Sequence, residues 1–305
     1  MNDEDRTTRP RVGVVGLGAM GLGMARSLRT AGYDVAVHDL RAEVAQDFAR
    51  QGGTAYSTPG ELASAVDVLV GVVVNAEQVE AVLFGEDGAA ERLGQGSVFV
   101  MCSTVDPAWA AELEGRLAGK GVLCLDAPIS GGAARAAAGE LTMMTSGPAA
   151  AYAVAGPVLD AMSATVYRLG GSAGIGSKVK IVNQLLAGVH IAAAAEAMAL
   201  GIRAGVPPEA LYEVVTHSAG NSWMFENRMA HVLAGDYTAL SAVDIFVKDL
   251  GLVLDSARPQ RFPLPLAATA HQMFLQASAS GLGAEDDSAV IKIFPGIDLP
   301  KPAEV

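Results

Sequence analysis

A β-branched run that breaks into glycines, Val12-Gly13-Val14-Val15-Gly16-Leu17-Gly18-Ala19-Met20-Gly21, constrains the fold of this chain more than any other feature. The run reads as a buried strand, and Leu22 to Leu28 reads as a helix. The turn between them has the G-x-G-x-x-G spacing of a dinucleotide loop. Gly16 allows the tight turn, Gly18 lets backbone amides approach a pyrophosphate, and Gly21 lets helix pack on strand, while the helix N-terminus supplies partial positive charge. Leu17, Ala19 and Met20 fill the remaining loop positions. A second strand, Val35 to His38, ends at Asp39, near the spacing expected for the acid that accepts the ribose hydroxyls. A carboxylate there repels a 2′-phosphate, so Asp39 argues for NAD over NADP; the neighbouring Arg41 argues the other way.

Strand runs alternate with helix patterns through the first half: Val68 to Val74, Val98 to Cys102, Val122 to Leu125, Leu141 to Thr145 and Thr165 to Arg168. Such alternation predicts a mostly parallel sheet flanked by helices. After Gly170-Gly171-Ser172-Ala173-Gly174 the pattern becomes helical throughout. A helix over 176–204 would be roughly 40 Å long at 1.5 Å per residue, with shorter helices near Pro208 to His217, Trp223 to Leu233, Ala242 to Ala257 and Leu264 to Ala279. The expected fold is therefore α/β: an N-terminal Rossmann-type domain over 11–173 and an all-α domain over 174–305, joined by a long interdomain helix. Residues 1–10, acidic and polar at the start, read as a disordered tail.

Composition removes several function classes. With 305 residues, about half of them apolar, the chain can bury a large core. A formal charge of −12 with no basic cluster argues against a nucleic-acid partner. The stretch Leu185 to Ile202 holds His190 and Glu196 and is rich in alanine, so it reads as a buried helix and not as a membrane span. Two cysteines, Cys102 and Cys124, exclude a disulfide framework and fit a reducing cytoplasm. No metal site is expected.

Three further segments carry chemistry. Lys180 sits in an apolar helical stretch just after the glycine hinge, where neighbours can strip its water and make the amine a general base; an amphipathic helix with snorkelling lysines gives the same pattern. Asn183 and Gln184 share its helix face, whereas Lys178 points roughly 200° away. Ser130, Gly131 and Gly132, in Asp126-Ala127-Pro128-Ile129-Ser130-Gly131-Gly132, offer a hydroxyl and open backbone amides suited to a carboxylate, or simply a strand-to-helix turn. Lys248-Asp249 reads either as an ammonium directed at a ligand or as a charged pair on a solvated face.

Taken in order, G-L-G-x-M-G, D-A-P-x-S-G-G, G-x-G-x-x-x-K-x-x-N and K-D-L resemble the β-hydroxyacid dehydrogenases, the group of 3-hydroxyisobutyrate dehydrogenase, tartronate semialdehyde reductase and 6-phosphogluconate dehydrogenase. Asn183 to His190, Asn221 to Asn227 and Glu285 to Lys292 are similar to its L-threonate dehydrogenase branch. The resemblance implies NAD-dependent oxidation of a four-carbon sugar acid at C2, with 3-hydroxyisobutyrate or tartronate semialdehyde chemistry as the alternative. A catalytically silent NAD-binding regulatory protein is the alternative of another class. It also implies roles: Lys180 as base, Ser130, Gly131 and Gly132 on the carboxylate, and Thr104, Lys248, Val74 and Asn75 near the cofactor. Asn221, with Ser222, Asn227 and Asp287, could meet extra substrate hydroxyls. Many relatives carry a second asparagine where this chain has Gln184, and often proline where it has Asn75. The alanine-rich face near Ile191 to Leu200 suggests a homodimer or homotetramer through the helical domain.

Overall fold

The computed structural model describes residues 9–302. Residues 1–8, most of the expected tail, lie outside that range, whereas Arg9 is held by a hydrogen bond to Ala31 O and lies over the Tyr33 ring. The chain divides into two compact units, one ending at Lys180 and the other beginning at Ile181. The division falls inside the long helix, not at the glycines before it.

In the first unit, β1 (Val12–Val15), β2 (Val35–His38), β3 (Thr54–Ala55), β4 (Val68–Gly71), β5 (Val98–Met101) and β6 (Leu123–Asp126) form a parallel sheet in the order β3-β2-β1-β4-β5-β6. Strands β1, β2, β4 and β5 are buried at every position, which is why they read as continuous apolar runs and not as alternating ones. Two core clusters include Val14, Met24 and Val100 in one and Leu69, Phe99 and Leu113 in the other. Helix α1 (Gly21–Thr30) follows β1.

Two expectations need correction. β4 ends at Gly71, so Val74 and Asn75 lie beyond the strand. Asn75 instead caps the helix Ala76–Phe84, its Oδ1 accepting the Gln78 N–H at 2.9 Å, a cap of the kind that stops the strand reading short. The later strands also leave the parallel sheet. β7 (Ile129–Ser130), β8 (Leu141–Thr145) and β9 (Ser163–Arg168) make a separate three-stranded sheet, with β7 antiparallel to β8. The two-residue strands β3 and β7 are too short to show a period in sequence.

The long helix spans Ile175–Arg203. It is long and apolar enough to cross a membrane by composition, yet from Ile181 onward its residues Ile191, Ala195 and Met198 belong to the second unit's core with Phe225, Phe246 and Phe274. That unit adds the helices Pro208–Thr216, Trp223–Ala234, Val243–Ala257 and Pro265–Ala277, each within a few residues of its sequence expectation.

Candidate active site

The loop after β1 is shaped by positions at which a side chain does not fit. Gly16 has φ +90°, and a Cβ there would lie 2.4 Å from Val72 O; a Cβ on Gly21 would lie 1.9 Å from Gly16 O. Both contacts are with backbone, so neither can relax by a rotamer change. Gly18 is different: nothing lies within 4 Å of its Cβ position, and both it and Ala19 are exposed, so the loop backbone is open to a ligand there. Met20 is the residue before α1, and the first turn of that helix carries no acidic residue to offset its positive end.

Asp39 closes the loop from beneath. Its Oδ2 accepts the Leu17 N–H at 2.6 Å, and its Oδ1 accepts the Arg41 N–H and Nε–H at 2.9 and 3.0 Å. Burial pushes the carboxyl upward, but the Arg41 and Leu17 hydrogen bonds outweigh it and hold Asp39 below its ordinary value. The carboxylate that the spacing marks for ribose is thus charged and fixed against the glycine loop. Arg41 Nη2 also reaches Leu17 O at 3.2 Å, so the dissenting cation serves here to orient the acid. Val74 is exposed, and Thr104 is half-buried next to Ser103, whose hydroxyl donates to Val73 O. Open Gly18, strained Gly16 and fixed Asp39 fit NAD.

The second cluster of this unit joins β6, the turn after it and the start of the long helix. Asp126 ends β6 and is fully buried. Its Oδ2 accepts the N–H groups of Gly174 and Ser177, both at 2.8 Å, and its Oδ1 accepts the Ser177 hydroxyl at 2.7 Å. Ser146 Oγ donates to the same carboxylate and accepts the Gly176 N–H. The first amides of the helix, which no helical carbonyl can satisfy, are therefore met by one strand-borne acid and its serine. Burial raises the Asp126 carboxyl, opposed by the hydrogen bonds from Ser177, Gly174 and Ser146. Gly176 is obligatory here: a Cβ would sit 2.4 Å from Met144 O and 2.9 Å from Asp126 O.

That anchorage fixes Lys180, which lies on the second turn. The lysine is 7% exposed, and its Nζ donates to Ile129 O at 2.8 Å. Ile129 immediately precedes Ser130, Gly131 and Gly132; Gly131 has φ +137° and Gly132 φ +77°, a conformation that carries the chain into the short helix Gly132–Ala138. The structure thus brings Lys180 to the Ser130 turn, while Lys178 is exposed. Asp126 was visible in the D-A-P motif, but its partners Ser146, Gly174 and Ser177 lie 20, 48 and 51 residues away, beyond any local pattern.

In the second unit, Gln184 is buried and its Nε2 donates to Asp249 Oδ2 at 2.6 Å. Asn183 is half-buried and its Nδ2 donates to Gln184 Oε1 at 3.0 Å. Lys248 Nζ lies 2.7 Å from Asp249 Oδ1, so the charged pair read from sequence exists, with its acid in the interior and not on a solvated face. Asn221 Nδ2 donates to Thr216 O, and its buried Oδ1 accepts no hydrogen bond among the described residues. The other three polar candidates are engaged within the protein. Ser222 Oγ caps Trp223–Ala234, Asn227 Oδ1 accepts from Arg228, and fully buried Asp287 pairs with Arg228. Cys102 and Cys124 are buried and free, and burial pushes the Cys102 thiol up to about 12, so neither offers a thiolate nucleophile.

Comparison with known proteins assigns these two units. Residues 11–171 match the family described as the NAD binding domain of 6-phosphogluconate dehydrogenase, and residues 174–294 match that described as NAD-binding of NADP-dependent 3-hydroxyisobutyrate dehydrogenase. The chain belongs to the β-hydroxyacid dehydrogenase family. Within that family it is 65% identical to L-threonate dehydrogenase of Cupriavidus necator, over 96% of this chain and 99% of that one. It is 54% identical to L-threonate dehydrogenase of Escherichia coli over 95% and 96%. A crystal structure described as 3-hydroxyisobutyrate dehydrogenase from Salmonella typhimurium superposes with a TM-score of 0.89 at 56% identity, covering 93% of this chain and 99% of that one. This β-hydroxyacid dehydrogenase is an NAD-dependent oxidoreductase acting on the CH–OH group of a hydroxy acid.

Proposed function

We propose that this dehydrogenase oxidises L-threonate at C2 to the 2-oxo acid, with Lys180 as general base. One observation carries the assignment of the base: the Lys180 Nζ hydrogen bond to Ile129 O, beside the turn that offers Ser130, Gly131 and Gly132 to a carboxylate. High identity to L-threonate dehydrogenases supports the substrate.

NAD, when bound, supplies the hydride acceptor at C4 of its nicotinamide. Gly16, Leu17, Gly18, Ala19, Met20 and Gly21 cradle its phosphates, Asp39 accepts the ribose hydroxyls, and Val74, Asn75, Thr104 and Lys248 complete the cofactor contacts. Ser130 Oγ and the amides at Gly131 and Gly132 hold the substrate carboxylate. A neutral Lys180 amine has one lone pair and two hydrogens. One hydrogen is committed to Ile129 O, which directs the lone pair elsewhere, and there it takes the C2 hydroxyl proton as hydride leaves C2. Asn183 and Asn221 form the polar wall for the remaining hydroxyls, with Gln184 behind Asn183. The two functional domains of this reading are the NAD-binding domain, 11–173, and the helical domain, 174–305, which also carries the subunit contacts of a cytoplasmic homodimer or homotetramer.

Following reduced-cofactor absorbance with a panel of C3 to C5 hydroxy acids tests the substrate. L-threonate should give the highest kcat/KM. A preference for 3-hydroxyisobutyrate, the substrate in the description of the Salmonella structure, would replace this reading.

A further inference from the structure

The chain of amides in the second unit has a direction, and Asp249 sets it. A side-chain amide can turn over and exchange its donor and acceptor ends, so on their own Asn183 and Gln184 could face a ligand either way. Asp249 removes the choice. Its carboxylate, paired with Lys248 Nζ at 2.7 Å, only accepts, so the Gln184 NH2 must point toward it, as it does at 2.6 Å. Gln184 Oε1 then faces Asn183, which must present Nδ2, as it does at 3.0 Å. What Asn183 keeps for a ligand is Oδ1, an acceptor, and one remaining N–H. Asp249 is 2% exposed and Gln184 is 8% exposed, so little water is at hand to stabilise the reversed order.

We infer that Asp249 and Gln184 are positioning residues that set substrate selectivity, by fixing Asn183 Oδ1 as the acceptor for the substrate hydroxyl next to the oxidised carbon. The inference rests on the reading of Asn183 as a substrate residue. A longer amide at position 184 is what the device needs, since Gln184 must meet both Asn183 and Asp249. The substrate class it selects is a 2-hydroxy acid with a donor hydroxyl at C3, against acids that are apolar there.

The test compares kcat/KM for L-threonate with that for 2,4-dihydroxybutanoate of the same C2 configuration, which lacks only the C3 hydroxyl. In Gln184→Met, which keeps the length of the side chain but neither polar end, the ratio of the two values should fall about three- to tenfold, the worth of one hydrogen bond. Asp249→Asn lets the string reverse and should lower the ratio similarly. Adding Gln184→Glu to Asp249→Asn restores an acceptor-only centre facing both amides, and the ratio should recover. An unchanged ratio in both single variants overturns the inference, as does a double variant no more selective than Asp249→Asn, which would mark a structural role only. A wild-type ratio near one overturns the substrate reading instead, and the amide order is then decided by nuclear magnetic resonance. Gln184 side-chain N–H signals protected from solvent exchange in wild type and unprotected in Asp249→Asn sustain it; equal exchange in both overturns it.

Discussion

Lys180 Nζ donates to the carbonyl of Ile129 at 2.8 Å, joining the long helix to the turn proposed to receive the substrate carboxylate. The bond orients the amine and adds no counter-charge, because a carbonyl oxygen accepts a hydrogen bond but carries no net charge. Lys180→Ala should therefore lower kcat by about 10² to 10⁴, the usual contribution of a general base. Steady-state rates at saturating L-threonate check this, and near-normal turnover would remove Lys180 from the role.

Gly176 tests how far that lysine depends on its helix start. A Cβ at 176 meets two backbone oxygens, at 2.4 and 2.9 Å, and neither can rotate away. Gly176→Ala should cost about 1–3 kcal/mol, as overpacking does, and should reduce kcat by displacing the turn that carries Lys180. Urea unfolding measures the first effect, and initial rates on the folded fraction measure the second.

The proposed ribose contact of Asp39 makes cofactor choice depend on its charge. Asp39→Asn keeps an acceptor for the Leu17 N–H but removes the negative charge. Losing one charge-assisted hydrogen bond of about 1.5–3 kcal/mol to ribose should lower kcat/KM for NAD roughly tenfold or more. The same change lifts the repulsion of a 2′-phosphate, so the NAD-to-NADP ratio should fall further than the NAD value alone. Parallel titrations with both cofactors check it; an unaltered ratio would assign the discrimination elsewhere.

Asp287 adds a pH dependence of known sign. Burial raises its carboxyl to about 6, with Arg228 opposing. An acid raised on folding binds its proton more tightly in the native state, so stability falls as pH rises from the unfolded value near 4 through about 6, and is flat above. That window should account for about 3 kcal/mol, at roughly 1.4 kcal/mol per pKa unit. Asp287→Asn has no proton to release there, so its stability relative to wild type should rise by about 3 kcal/mol across that window. Its stability curve should lack the decline between pH 4 and 6, and denaturant melts at four pH values would reveal whether it does.

The parts of the site that were legible in sequence are those written locally. Gly16, Gly18, Gly21 and Asp39 mark a strand–turn–helix–strand unit whose spacing is imposed by backbone geometry, and Lys180, Asn183 and Gln184 share a helix face by period alone. What escaped were partners brought together from a distance: Asp126 with Gly174 and Ser177, and Asp249 with Gln184. Polarity alone left other candidates open. Ser222, Asn227 and Asp287 could equally meet a hydroxylated ligand or serve the fold, and each has a partner within the fold, Ser222 as a helix cap and the other two on Arg228. Composition cannot separate a polar side chain that recognises a ligand from one that satisfies its own fold.

The division of the chain between Lys180 and Ile181 cuts through the helix three residues before Asn183. A genetic crossover at that point would leave Lys180, the proposed proton acceptor, with the nucleotide-binding half and send Asn183 and Gln184, the proposed selectivity amides, with the other. On the proposed roles, the residues that distinguish one hydroxy acid from another would travel separately from the residue that accepts the proton.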